Sequence, residues 1–443
     1  MDPRGLGPTT LKSSSNWTLL RETMLENDAL LTEEEIKLRD EVKELVATVD
    51  PELLRKMDRN EVDYPYEFVK AAAQRGLLGL RFPPEYGGRG LSWVAESVAV
   101  EEVGVLGAGL GCAYAMVSIV GEAIYRFGSE WQKEKFLKPM IRGEKIAAEG
   151  LTEPRGGSDF FGTTTRAEKR GKVWVLNGEK RFIAGGKVAD FYLLYARTDP
   201  SAPSHKALTA FLVERDMGVR VEEVYNLLGF RGMGTARIVL KDVEVPEDYV
   251  LGEVNGARDV FNRMMIPERL TSAAGALGGA RAALEVAVRY SDKRKAFGRK
   301  IREFQGVSFM VAEAVTKLDA ARALVYTAAR AVDLYDKGIR DPRRIGGDPR
   351  RLVSEAKYYA TEVGWEVVNV AMQILGGIGY TQVYPVERML RDARLGLIWT
   401  GSNEIMKLLI QHETYKLMGL PSKERDYEKD AMDWYKEWEK VYE

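Results

Sequence analysis

The sequence predicts an α+β protein: a helical N-terminal domain, a middle β-barrel-like domain and a C-terminal four-helix bundle. Two observations predict it. Apolar residues recur at helical spacing up to about residue 138 and again after about 257, whereas β-type runs and turn signals fill 146–252. The C-terminal part also holds three amphipathic stretches, 257–291, 303–337 and 349–374, each longer than an average globular helix. The expected divisions are an extension over 1–32, domains over 33–145, 146–252 and 253–420, and a tail over 421–443.

Each element has a local reason. The polar extension lacks the apolar core of a secretory signal and reads as frayed or surface-laid chain. Thr32-Glu33-Glu34-Glu35 is a capping box that opens the first helix. Pro83-Pro84 and Gly87-Gly88 mark a tight loop between helices. Gly104 to Val120, rich in small and apolar residues, reads as a buried helix with a glycine-rich approach. In the middle, Val173 to Leu176 reads as a strand that turns at Asn177-Gly178, a strong hairpin signal. Phe191 to Tyr195, Leu208 to Val213 and Ile238 to Val245 read as further strands. Gly338 to Pro349 reads as a loop between two long helices. In the tail, Met432, Tyr435, Trp438 and Tyr442 share one helical face, as in a short helix packed on the body or a neighbour.

Composition removes several function classes. The 443 residues carry a net charge of −1, which gives no reason to expect nucleic acid or an anionic membrane as partner. Cys112 is the single cysteine, so no intramolecular disulfide framework exists and a reducing, cytoplasmic setting is expected. With His205 and His412 the only histidines, a His-rich metal site or a Ser-His-Asp triad has almost no material. No apolar run of membrane-spanning length is expected.

Three motifs carry chemistry. Gly150-Leu151-Thr152-Glu153-Pro154-Arg155-Gly156-Gly157-Ser158-Asp159 is a polar, glycine-rich turn whose hydroxyls and free N–H groups can approach a planar ligand. Tyr290-Ser291-Asp292-Lys293-Arg294-Lys295-Ala296-Phe297-Gly298 places a basic cluster and a ring between two helices, with Arg294 suited to a pyrophosphate. Gln373-Ile374-Leu375-Gly376-Gly377-Ile378-Gly379-Tyr380, then Glu387-Arg388 and Arg391-Asp392, puts two glycines at a helix end. Gly107-Ala108-Gly109-Leu110-Gly111 has the wrong spacing for a Rossmann or P-loop fingerprint.

Together these motifs resemble the acyl-CoA dehydrogenase family over roughly residues 33 to 420, including Pro84-Glu85-Tyr86-Gly87-Gly88. The resemblance implies FAD as cofactor, an acyl-CoA substrate, an electron-transfer flavoprotein as acceptor, and a homotetramer or homodimer with FAD sites shared between subunits. It implies that Leu151, Thr152 and Ser158 lie along the flavin, with Phe182 beside the isoalloxazine. It assigns Arg294, Phe297, Gln373 and Gly377 to the cofactor's far end in the neighbouring subunit, and Ser402 and Glu404 to the segment that follows ring and chain. Two departures stand out: Ala184 where a Ser or Thr is common near flavin N5, and Val383 where an acidic or amide residue is usual.

The implied reaction removes an α-proton while a β-hydride passes to flavin N5, giving a 2-enoyl-CoA. It needs a positioned carboxylate and a polarised thioester carbonyl. Many members carry that carboxylate immediately before Gly401, where this chain has Thr400. A subset, the isovaleryl-CoA and long-chain type, carries a Glu before an Arg early in the first long C-terminal helix. Ile266-Pro267-Glu268-Arg269-Leu270 matches it, so Glu268 is the expected base, and the backbone N–H of Thr400 the expected carbonyl donor. Other readings of the resemblance are a flavin monooxygenase or oxidase on the same fold, left open by Ala184 and opposed by Glu268, and a non-catalytic binding relative.

Overall fold

The computed structural model describes residues 25–418. Most of the extension and the whole 421–443 tail, with its expected helical face, lie outside the described residues.

The N-terminal domain holds helices α1 (Glu33–Ala47), α2 (Pro51–Asp58), α3 (Tyr66–Gln74), α4 (Trp93–Gly104) and α5 (Ala108–Phe127). The capping box forms as expected: the Thr32 hydroxyl accepts from the Glu35 N–H, and the Glu35 carboxylate accepts from the Thr32 N–H. The segment 104–120 is not one helix, because Gly104 ends α4 and Gly107, at φ 121°, starts α5. Helix α5 also corrects the expectation of no spanning run. It is long and apolar enough to cross a membrane, yet 89% of that stretch is buried inside the protein.

The middle domain is built on an eight-stranded sheet. Its strands are β1 (Ala147–Gly150), β2 (Arg166–Arg170), β3 (Val173–Ile183), β4 (Phe191–Arg197), β5 (Leu208–Glu214), β6 (Arg220–Val224), β7 (Ala236–Pro246) and β8 (Val250–Leu251). They pair in the order β6-β7-β3-β2-β4-β5-β8, with β1 parallel to β4. The Asn177-Gly178 hairpin does not form; β3 runs straight through it. Instead the Asn177 side chain exchanges hydrogen bonds with Asp242 across the strand pair, at 3.1 and 2.9 Å. The register shifts between Leu176 and Gly178, which marks an irregularity in the ladder. Gly178 is needed there because a Cβ would meet the Thr165 Oγ1 at 2.4 Å. The β2–β3 reversal falls earlier, at Gly171 with φ 61°.

The C-terminal domain holds α6 (Ala257–Lys293), α7 (Gln305–Asp336), α8 (Pro349–Leu375), α9 (Val386–Gly396) and α10 (Asn403–Met418). Helix α8 packs against α6, α7 and α10 to make the four-helix core. The expected 338–349 loop contains a helical turn, Pro342–Ile345, capped by Asp341. Between α6 and α7, strands β9 (Lys295–Ala296) and β10 (Arg299–Lys300) form a small hairpin.

Helices α4 and α6 touch backbone to backbone. A Cβ on Gly278 would lie 2.1 Å from the Glu101 carbonyl oxygen, and one on Gly104 would lie 2.7 Å from that of Gly275. Buried ion pairs flank the contact: Arg281 grips Glu102 with two bonds of 2.8 and 2.6 Å, and Arg322 lies 3.0 Å from Glu101. Tyr326 donates to the same Glu101 carboxylate at 2.8 Å. A second cluster sits at the start of α6, where Arg263 meets Glu122 at 2.6 Å and Arg81 meets Glu122 at 2.7 Å. Gly278→Ala is therefore expected to force the helices apart and cost about 1–3 kcal/mol in urea unfolding, with Gly279→Ala close to neutral beside it.

Candidate active site

The first motif leaves β1 at Gly150 and is tied down by Glu153. That carboxylate accepts from the Thr164 N–H at 2.6 Å, the Thr164 hydroxyl at 2.7 Å, the Thr165 N–H at 3.0 Å and the buried Lys180 Nζ at 2.9 Å. Burial pushes the Glu153 carboxyl up, but Lys180 and these donors outweigh it and hold it down at about 2. The loop so fixed carries Leu151, Thr152 and Ser158. Leu151 and Thr152 are partly buried, and Ser158 is exposed. The Thr152 carbonyl accepts from the Arg181 N–H at 2.8 Å, which draws the loop against the end of β3.

At that end Phe182 takes φ 55°, a rare conformation for a bulky residue, and leaves its ring 58% exposed beside Tyr225. Ala184 follows, small and partly buried. On the bundle side, Thr400 sits at φ 55° and Gly401 at φ 85°, so the loop before α10 turns through left-handed backbone. A β-branched residue in that region is a true outlier. The turn is held from behind, where the buried Lys357 ammonium donates to the Gly401 carbonyl and the Asn403 side chain, both at 2.8 Å. Among the described residues, the Thr400 hydroxyl and the Trp399 indole N–H are buried without a hydrogen-bond partner. Ser402 is partly buried and Glu404 exposed. Backbone and Ser402 hydrogen bonds hold the Glu404 carboxyl below its usual range.

Glu268 lies one residue after Pro267, inside α6. It is only partly exposed. Burial pushes its carboxyl up to about 7, against the opposing pull of Arg269 and Lys357. Arg269 is itself buried, its guanidinium held down at about 10 by burial and Arg350. Burial, then Arg269, brings Lys357 down to about 7. The aromatic pair Phe160 and Phe261, stacked at 3.9 Å, joins the first motif's loop to α6 just upstream.

The remaining expected residues sit elsewhere. Arg294 ends α6 and Phe297 tops the β9–β10 hairpin, where Phe297 and Gly298 take φ 49° and 78°, a two-residue turn of the type I′ class. The Phe297 ring is 95% exposed. Gln373 is exposed on the last turn of α8, and Gly377 follows it with open space where a side chain would begin. Lys357 thus links Glu268 to the Thr400–Gly401 turn, and the Phe160–Phe261 stack ties the first motif's loop to α6, so these segments converge around Glu268, while Arg294, Phe297, Gln373 and Gly377 are exposed.

Reasoning from sequence missed Glu149, Lys357 and the structural use of the motif charges. Glu153 is a tie rather than a ligand. Arg391 grips Asp58 with two bonds of 2.7 and 2.8 Å, and Asp392 caps the Phe230 and Ala108 N–H groups at 2.7 and 3.2 Å. No periodicity signals such ties; only the fold reveals them.

Comparison with known proteins decides the family. Three family models match in order: the acyl-CoA dehydrogenase N-terminal domain over residues 32–144, its middle domain over 148–243 and its C-terminal domain over 255–414. The chain belongs to the acyl-CoA dehydrogenase family. Members of this family are FAD flavoproteins and oxidoreductases. A 3-(aryl)acrylate reductase of Clostridium sporogenes is 37% identical over 83% of this chain and 99% of its own. The CarC subunit of a caffeyl-CoA reductase-Etf complex of Acetobacterium woodii is 35% identical, over 79% of this chain and 89% of its own. The structure of butyryl-CoA dehydrogenase from Megasphaera elsdenii superposes with a TM-score of 0.80 at 33% identity, over 87% of this chain and 99% of that one.

The residues of this acyl-CoA dehydrogenase family member fit a flavin. An exposed ring at Phe182, a small neighbour at Ala184 and unpaired buried donors at Trp399 and Thr400 suit a planar molecule with a polar edge. Removing the Glu153 charge should loosen this wall: Glu153→Gln leaves Lys180 buried without its counter-charge and is expected to cost about 3–5 kcal/mol in thermal or urea unfolding. The double variant Glu153→Met with Lys180→Met should recover most of that loss, which separates charge burial from packing.

Proposed function

We propose that this chain catalyses FAD-dependent α,β-dehydrogenation of an acyl-CoA thioester, with Glu268 as the base and an electron-transfer flavoprotein as electron acceptor. One observation carries the reading: the largely buried Glu268 carboxyl, near Arg269 and the Lys357 that holds the Thr400–Gly401 turn, with its proton affinity raised to about 7. An ordinary surface carboxylate is too weak a base for an α-proton; one tuned near neutrality is matched to it. Lys357 and Arg269 keep it ionisable despite burial, because each opposes the desolvation that would hold its proton. The left-handed turn at Thr400 and Gly401 is the rigid backbone from which the Thr400 N–H would polarise the thioester carbonyl. When bound, the flavin supplies the hydride acceptor. Leu151, Thr152, Ser158, Phe182, Ala184, Ser402 and Glu404 would hold its ring and chain.

The same carboxyl serves the reverse reaction, since a group that accepts the α-proton also returns it. The relatives named as reductases support this direction for aromatic 2-enoyl groups. The Etf complex of one relative supports the electron-transfer flavoprotein. The single cysteine supports a reducing, cytoplasmic setting.

We also infer a homo-oligomer, dimer or tetramer. At about 1.5 Å per residue, α6 carries the chain about 39 Å from Glu268 to Arg294. That exceeds the reach of one extended dinucleotide, so Arg294, Phe297, Gln373 and Gly377 would serve a cofactor held by another subunit. Phe297→Ala is expected to lower the flavin-to-protein ratio after gel filtration; a monomer that keeps a full complement of flavin overturns the shared site.

Anaerobic flavin bleaching by a panel of straight, branched, cyclic and aromatic acyl-CoAs tests the base. Glu268→Gln should hold FAD yet bleach at least about a hundredfold more slowly, within the range general-base groups contribute. Only the carboxylate accepts the proton, so the wild-type rate should fall about tenfold per pH unit below about 7. A variant that bleaches at the wild-type rate removes Glu268 from the mechanism.

A further inference from the structure

The carboxyl of Glu149 takes no part in the ties or the chemistry above. It lies on β1, paired in register with Leu193 of β4, one residue before Gly150 opens the first motif's loop. Its neighbour Ala148 is fully buried, whereas Glu149 is partly exposed, as are Glu268 and Cys112. These three residues come from β1, α6 and α5, and a fourth, the buried Tyr195, comes from β4. Tyr195 donates to the Met264 sulfur at 3.5 Å, one turn before Glu268.

Glu149 differs from the buried structural glutamates of this fold. Glu96 and Glu122 meet Arg81, Glu101 meets Arg322, Glu102 meets Arg281 and Glu153 meets Lys180. Glu149 has no such ion pair among the described residues, and its Oε1 is buried without a hydrogen-bond partner. The titratable groups that interact electrostatically with it are Glu268, Cys112 and Tyr195. Burial, then the charge of Glu268, holds the Glu149 carboxyl well above the usual range. Burial likewise raises Cys112 and Tyr195 and keeps both neutral. Arg269 and Lys357 act on Glu268 from α6 and α8.

We propose that Glu149 is a specificity-determining residue of this site, hydrogen-bonding a hydroxyl or carbonyl group carried on the acyl chain close to the reacting carbons. The inference rests on the proposed acyl-CoA dehydrogenation. A plain alkyl chain laid against Glu149 strands a buried acid without a partner, whereas a polar substituent satisfies it. A protonated carboxyl offers one donor and remaining acceptor capacity, so either substituent fits. The substrate class is thus an acyl thioester with a neutral polar substituent rather than a saturated hydrocarbon chain.

The test compares isosteric pairs on the holoenzyme: 4-hydroxybutanoyl-CoA against pentanoyl-CoA, and 5-hydroxypentanoyl-CoA against hexanoyl-CoA. Anaerobic bleaching rates and the affinity read from the flavin spectrum are both recorded. Wild type should favour the hydroxylated member of at least one pair by about tenfold or more. Glu149→Leu should lose or reverse that preference with flavin content unchanged, and Glu149→Gln, which keeps a donor and an acceptor, should retain it. Equal ratios in wild type and Glu149→Leu for both pairs overturn the proposal. So does a wild-type preference for 4-aminobutanoyl-CoA over its hydroxyl analogue, which would mean an ionised Glu149 reading a cation. Failure of the base assignment shows separately, as a Glu268→Gln variant that bleaches normally; the Glu149 ratios remain readable there, and the affinities remain readable even if no thioester bleaches the flavin.

Discussion

The contact of α4 with α6, backbone on backbone, is the constraint on which the arrangement depends. Glycines at 104 and 278 let two helices approach until carbonyl oxygens occupy the space where side chains would start. Helix α6 is thereby fixed to the N-terminal domain, and Arg263 and Arg281 peg it on either side of Glu268. Each peg is a buried charge that meets its opposite with several hydrogen bonds. Such pairs add little net stability against an apolar substitute, but they penalise every misplaced arrangement heavily. What they secure is the position of one carboxyl.

The site inverts that logic. Around Glu268 the charges are neither paired tightly nor exposed, and each shifts the proton affinity of the next. Burial raises the proton affinity of Glu268, and Arg269 and Lys357 limit the shift to about 7. Lys357 is in turn unable to hold its own proton strongly, being buried beside Arg269. The balance is an equilibrium among groups supplied by α6, α8 and β1, so no single motif contains it.

This division explains what was legible in the sequence. The three-domain order, the long helices and the capping box at Thr32 depend on local periodicity and chemistry, and these elements form where the sequence places them. The Asn177-Gly178 turn fails for the opposite reason: its dipeptide signal is local, but the long pairing of β3 with β7 overrides it and turns the pair into a register shift. Within the site, Glu268 is findable because it sits in a recognisable string, Pro267-Glu268-Arg269. Glu149 is not, because its environment is assembled from residues more than 35 positions away on both sides of it in the chain. Arg391 and Asp392 illustrate a third case: residues of a recognisable motif that turn out to be ties between domains.

Helix α6 also acts as a ruler. Between Gly278 and Glu268 the chain is continuous α-helix, so the carboxyl's direction is set by the count of residues separating them. One residue inserted there would turn Glu268 by about 100° about the helix axis and lift it by about 1.5 Å, out of the site and away from Lys357. Two insertions would turn it still further, and only about a whole number of turns would restore the aim. Length in this stretch is therefore fixed far more tightly than composition: the surface of α6 can change freely, while its residue count cannot.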